Sequence, residues 1–153
     1  MALADLLQQD AIIPALRVNS KKQLLQELAA RAARITGVPE REVFDVILQR
    51  ERLGSTGVGH GIAIPHGKLA SIDTIVGVFA RLENAVDFEA LDDQPVDLVF
   101  LLLAPEGAGA DHLKALSRIA RVLRDPELVA KLRATESDTA IFTFLNQEQA
   151  NAA

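Results

Sequence analysis

The seven residues Leu98-Val99-Phe100-Leu101-Leu102-Leu103-Ala104 carry no polar side chain. A strand with one face in water alternates apolar and polar residues, whereas a strand covered on both faces reads as a continuous apolar run. The segment from Pro95 to Leu103 is therefore expected to be a central strand with layers on both sides. It cannot be a membrane span, which takes about 20 residues. A strand buried on two faces needs helices to bury it, and the rest of the chain supplies them.

Ser20 and Gln23 form a capping-box pattern, and Leu24, Leu25, Leu28, Ala32 and Ile35 recur at helical spacing until Gly37. Pro39 suits a first helical turn, and Glu40 and Glu42 complement a helix N-terminus. Val43, Phe44, Ile47 and Leu48 give this second helix an apolar face as far as Arg52. Later helices are expected from about Asp111 to Leu123, from Asp125-Pro126-Glu127 through Arg133, and from Ser137 to about Leu145. Strands are expected at Ile12–Val18, as an edge because of Pro14, at Ile62–Pro65 and at Thr74–Leu82. Hairpin-length spacing between the Thr74 and Pro95 strands implies a mixed sheet. The expected fold is a three-layer α/β/α domain with about five strands flanked by helices. It is a single domain over residues 1–153, with a small polar tail frayed over 146–153.

A domain of 153 residues buries roughly 70% of the surface its unfolded chain exposes, so it needs no staples. It has none to use, because the chain lacks cysteine. That excludes disulfides, thiolate catalysis and Cys-based zinc sites, and fits a reducing cytoplasm. The first residues show no basic region followed by a long apolar one, so no signal peptide is expected. The net charge is −5, with no basic block or aromatic-basic stripe, which argues against nucleic acid as the partner. Local basic clusters at Arg50 and Arg52, and at Arg118, Arg121 and Arg124, suit an anion or the acidic rim of a partner protein.

Chemistry concentrates around His66, in Gly61-Ile62-Ala63-Ile64-Pro65-His66-Gly67-Lys68. Apolar residues, a proline and then His-Gly read as a buried strand that ends by presenting an imidazole at its tip. Pro65 fixes the backbone before it and Gly67 removes a side chain after it. The imidazole is nucleophilic at either ring nitrogen near neutral pH. Only two other histidines exist, His60 and His112. Three histidines could hold zinc, although the spacing of His60 and His66 fits no helical pair. Ser55, Ser71 and Ser117 lack the G-x-S-x-G setting of a nucleophile elbow. The loop from Gly54 to Gly61 has four glycines in eight residues but matches neither G-x-x-x-x-G-K-[ST] nor G-x-G-x-x-G. It is expected to be flexible and to offer amides and room near His66.

The run from Arg50 to Lys68, with Gln94-Pro95-Val96-Asp97-Leu98-Val99-Phe100 and His112-Leu113-Lys114-Ala115-Leu116, resembles enzyme IIA domains of the bacterial phosphotransferase system, fructose/mannitol class. Within that class it is most similar to the nitrogen-related enzyme IIA. The resemblance implies that His66 is phosphorylated through Nε2, that His112 is the second active-site histidine and that Arg50 is the active-site arginine. Without it, Arg50 reads as a solvated residue at a helix end. Thr56, Gly67 and Lys68 align as phosphate or partner contacts. His60 departs from the Asn or acidic residue common there and either tunes His66 or faces solvent.

The function implied is a cytoplasmic, metal-free and cofactor-free phosphocarrier. Its donor would be a histidine-phosphorylated HPr/NPr-type carrier. Its targets would be regulatory: a potassium-uptake system or its sensor kinase, or an alarmone-metabolising enzyme. The alternatives are a transporter-linked IIA component that passes the phosphoryl group to a IIB domain, and a binding module without catalysis. An apolar rim for docking is expected around His66, with Ile62, Ile64 and Leu69 as candidates.

Overall fold

The computed structural model describes residues 3–152, without the side chains of Ala4 and of 147–152. The elements follow in the order α1 (Leu3–Leu6), a 3₁₀ turn (Gln9–Ala11), β1 (Ile12–Leu16), α2 (Lys21–Thr36), α3 (Glu40–Arg52), β2 (Gly57–Gly59), β3 (Ile62–Ala63), β4 (His66–Leu69), β5 (Val76–Val86), β6 (Val96–Pro105), α4 (Ala110–Val122), α5 (Pro126–Arg133) and α6 (Asp138–Ala152). The tail expected to fray over 146–153 lies mostly outside the described side chains.

The apolar run is the centre of the sheet. β6 pairs antiparallel with β5 on one side, and parallel with both β3 and β4 on the other. Leu98 to Ala104 are all buried. Among the described residues the sheet has six strands, in the order β1-β5-β6-β3-β2, with β4 also on β6. Helices α2 and α3 pack on each other and against β5 and β4. Helices α4, α5 and α6 form the other group, against β6 and β1. The result is the expected three-layer α/β/α arrangement with a mixed sheet.

Local grammar explains most boundaries. The Ser20 hydroxyl accepts from the Gln23 amide at 3.1 Å, and the Gln23 side chain accepts from the Asn19 amide at 2.7 Å. Gly37 closes α2 at φ 78, a left-handed conformation that costs glycine little. Leu24, Leu25 and Leu28 of α2 are fully buried, each worth about 1.5–3 kcal/mol. Pro14 lies on β1, an edge strand as its missing N–H requires.

Three differences from expectation bear on function. The strand placed at Ile62–Pro65 stops at Ala63, and a separate strand on β6 begins at His66, with Pro65, which has no N–H to extend the ladder, between them. His66 therefore opens β4 instead of ending a strand. β2 and β4, neither of them placed from the sequence, bring the sheet to six strands, against the five or so expected. β5 runs on from Leu82 through the exposed Glu83-Asn84-Ala85 to Val86, a polar stretch that hid its strand character. The glycine-rich segment 54–61 is mostly a hairpin, not an open loop, with His60 and Gly61 at its turn at φ 58 and 81.

Candidate active site

β4 aligns His66 with Leu102 of the central strand, and the Leu102 amide donates to the Pro65 carbonyl at 3.0 Å. Strand alternation puts His66 and Lys68 on one face and Gly67 on the other. Gly67 lies against α3, where a β-carbon would come within 2.5 Å of Val46 Cγ1. The glycine after the histidine therefore admits a helix of this chain.

His66 is half-buried, and both its ring nitrogens are engaged. Nδ1 lies 2.9 Å from the Ile64 carbonyl. A carbonyl only accepts, so Nδ1 carries the ring proton and Nε2 keeps the lone pair. Nε2 accepts from Arg50 Nε at 3.3 Å. Arg50 occupies the last turn of α3 and is braced by donation from one terminal nitrogen to the Gly54 carbonyl at 2.9 Å. The site thus holds an in-plane lone pair with a fixed guanidinium beside it.

His112 sits in the first turn of α4, 7% exposed, with its ring centroid 5.6 Å from that of His66 and the planes tilted by 54°. Burial, then the electrostatic influence of His66 and of Lys68, lowers its pKa from the ordinary 6.5 and so favours the neutral imidazole. Its Nδ1 is the buried side-chain polar atom without a partner among the described residues. Leaving such an atom unpaired costs about 1–3 kcal/mol.

The other expected contacts are placed differently. Thr56 is buried and spends its groups on Glu51: its amide donates to Oε1 at 3.1 Å and its hydroxyl donates to Oε2. Lys68 is exposed and acts on His112 through charge. His60 is exposed in the hairpin turn, its amide bound to Asp92 at 2.9 Å and its carbonyl to Arg133 at 2.7 Å. The glycine segment does not leave its amides open as expected. Gly57 N–H donates to the Ser55 hydroxyl at 3.1 Å, and those of Thr56 and His60 are committed to the two carboxylates just described. Among the described residues no three His, Asp or Glu side chains could hold a metal ion. No helix among them is long and apolar enough to cross a membrane.

The expected docking rim is corrected as well. Ile62, Ile64 and Leu69 are 4%, 5% and 1% exposed and belong to the core. The exposed large apolar residues include Leu53 at 85%, beside Gly54, and Leu113 at 64%, beside His112. A hydrophobic residue next to a turn or in a first helical turn gives no sequence sign of whether it is buried, so these two went unread. Glu51 went unread too, because its partner lies five residues on, around a turn. A cavity of about 820 Å³ lies elsewhere, against Val58, Ile62, Ile64, Leu123, Val129 and Arg133. His66 and His112 do not line it.

Residues 5–148 match the model of the family described as phosphoenolpyruvate-dependent sugar phosphotransferase system, EIIA 2. The chain belongs to this EIIA family. It is 63% identical over 153 residues to a nitrogen regulatory protein of Bradyrhizobium diazoefficiens, covering 100% of both chains. It is 40% identical to the nitrogen regulatory protein of Escherichia coli K12, covering 97% of this chain and 92% of the other. The crystal structure of nitrogen regulatory protein IIA-Ntr from Neisseria meningitidis superposes with a TM-score of 0.89 at 35% identity, covering 94% of this chain and 98% of that one. An EIIA domain with nitrogen regulatory relatives is what the resemblance of residues 50–68 implied.

Proposed function

We propose that this EIIA domain is a phosphocarrier of the nitrogen-related phosphotransferase system and accepts a phosphoryl group on His66 Nε2. The observation that carries this reading is the hydrogen bond from Nδ1 to the Ile64 carbonyl, which leaves the Nε2 lone pair beside the Arg50 guanidinium. The donor is a histidine-phosphorylated carrier of the HPr/NPr type. In the transfer the donor's N–P bond breaks and its electron pair returns to the donor imidazole. The Nε2 lone pair of His66 forms the new P–N bond. Charge spreads over three phosphoryl oxygens as the group passes in line between the rings. Arg50, which now donates to Nε2, is placed to donate to those oxygens instead, and His112 offers a neutral imidazole alongside. Leu53 and Leu113 supply the apolar rim on which the carrier docks.

The phosphorylated and unphosphorylated forms then bind different cytoplasmic targets. The names of the relatives support a regulatory output, and potassium-uptake systems, their sensor kinases and alarmone enzymes are the target types to try first. A second reading, transfer onward to a IIB domain in sugar uptake, is supported by 37% identity to a fructose-specific EIIABC component of Bacillus subtilis. The 63% identity to the Bradyrhizobium diazoefficiens nitrogen regulatory protein, over the whole of both chains, favours the first.

Incubation with phosphorylated carrier followed by intact mass measurement tests the shared core of both readings. The expected result is a gain of one acid-labile phosphoryl group that His66→Ala abolishes. A folded protein that gains none would overturn both. Pull-downs with IIB domains and with regulatory targets then separate them.

A further inference from the structure

Both partners of the His66 ring trace back to one buried carboxylate. Glu51 is 7% exposed, in the last turn of α3 next to Arg50. Its Oε1 accepts from the Thr56 amide at 3.1 Å and pairs with Lys21 Nζ at 3.0 Å, and its Oε2 accepts from the Thr56 hydroxyl. Lys21 Nζ also lies 4.5 Å over the Phe88 ring and 3.8 Å from the exposed Glu89 carboxylate. Thr56 is thus fixed by two bonds to one carboxylate.

Two paths lead from Thr56 to the histidine. On the first, the Thr56 carbonyl accepts from the Ile64 amide at 3.0 Å, and the Ile64 carbonyl accepts from His66 Nδ1 at 2.9 Å. On the second, the short turn that Glu51 closes contains Gly54, whose amide donates to the Glu51 carbonyl at 3.1 Å and whose own carbonyl braces Arg50. Arg50 then reaches Nε2. One path sets which nitrogen bears the proton, and the other sets the cation beside the lone pair.

We propose that Glu51 is the positioning residue of this site: through Thr56 it fixes the His66 tautomer and the Arg50 guanidinium together, without touching the reacting atoms. The role rests on the reading of His66 as phosphoryl acceptor, but the tautomer can be measured without any transfer. A charge-preserving partner for Lys21 alone would not need Thr56, and a cap for Thr56 alone would not need Lys21. Glu51 meets both in the interior, where a misplaced carboxylate is costly.

The test compares the intact protein with Glu51→Gln and Thr56→Val. Nitrogen-15 spectra of the imidazoles report the His66 tautomer, and the phosphorylated carrier reports the rate of acceptance. Wild type is expected to show His66 protonated at Nδ1, and both variants a mixture of tautomers. Acceptance should fall about 10- to 100-fold, as for a reacting group displaced by a fraction of an ångström to an ångström. Combined with Arg50→Ala, Glu51→Gln should cost less than the product of the two single losses. Thr56→Val serves where Glu51→Gln does not fold. A folded variant with the wild-type tautomer overturns the proposal, whatever its rate. Wild-type protein that gains no phosphoryl group overturns the phosphocarrier reading instead and leaves the tautomer comparison to decide the role of Glu51.

Discussion

His66 has a defined lone pair only while Ile64 keeps its carbonyl 2.9 Å from Nδ1. Its neighbour His112 contributes by staying uncharged. The folded pKa of His112 lies below 6.5 through burial and the nearby charges. As pH falls through about 6.5, the unfolded chain binds the proton before the native state does. The stability attached to a neutral His112 is therefore present above that pH and lost on the way down to the folded pKa. Replacing it by glutamine removes this titration. Urea midpoints at about pH 7.5 and about pH 5.5 should show the advantage of wild type over His112→Gln shrinking at the lower pH. A constant difference would mean that the imidazole is not held neutral by its surroundings.

The site depends at the element scale on how closely α3 lies over β4. Gly67 permits the approach, since a β-carbon there would meet Val46 Cγ1 at 2.5 Å. Overpacking of this kind costs about 1–3 kcal/mol. Gly67→Ala should lower the unfolding free energy by that amount, and Val46→Ala in the same chain should recover part of it. Denaturation of the two single variants and the double variant measures the coupling; strict additivity would show that helix and strand are not in contact at this point. The same closeness brings Arg50, on α3, into reach of a histidine whose side chain leaves the strand on the other face.

The whole molecule presents the paired histidines beside two exposed apolar residues, Leu53 and Leu113. They come from opposite layers, one after α3 and the other in α4. Leu53→Asp and Leu113→Asp should each weaken carrier binding by about tenfold or more with little change in melting temperature, as loss of a central apolar anchor does. Titration calorimetry with the unphosphorylated carrier and a thermal melt check the two halves; a variant that binds as wild type removes that residue from the interface. Much of this layout was legible beforehand. The Leu98–Ala104 run marked the central strand because burial on both faces leaves no room for alternation. Ser20, Gly37 and Asp125 marked helix ends because capping is local chemistry. The resemblance named Arg50, His66 and His112 together, and the structure brings these three side chains side by side. What stayed hidden depends on contacts across a turn or between layers. Glu51 meets Thr56 around the end of α3, Gly67 meets Val46 from another element, and Ile62 and Leu69, on strands too short to show a period, face inward with Ile64 of the link between them.

The edges of the sheet have one more consequence. β1 carries Pro14, β2 has three residues and β4 has four. An open strand edge is a template on which other chains can stack, and such stacking needs several unpaired main-chain groups in a row. None of these borders offers a long uninterrupted one, while the apolar β6 that would aggregate most readily is flanked on both sides. Borders this short leave a second copy of the chain little main chain to stack on.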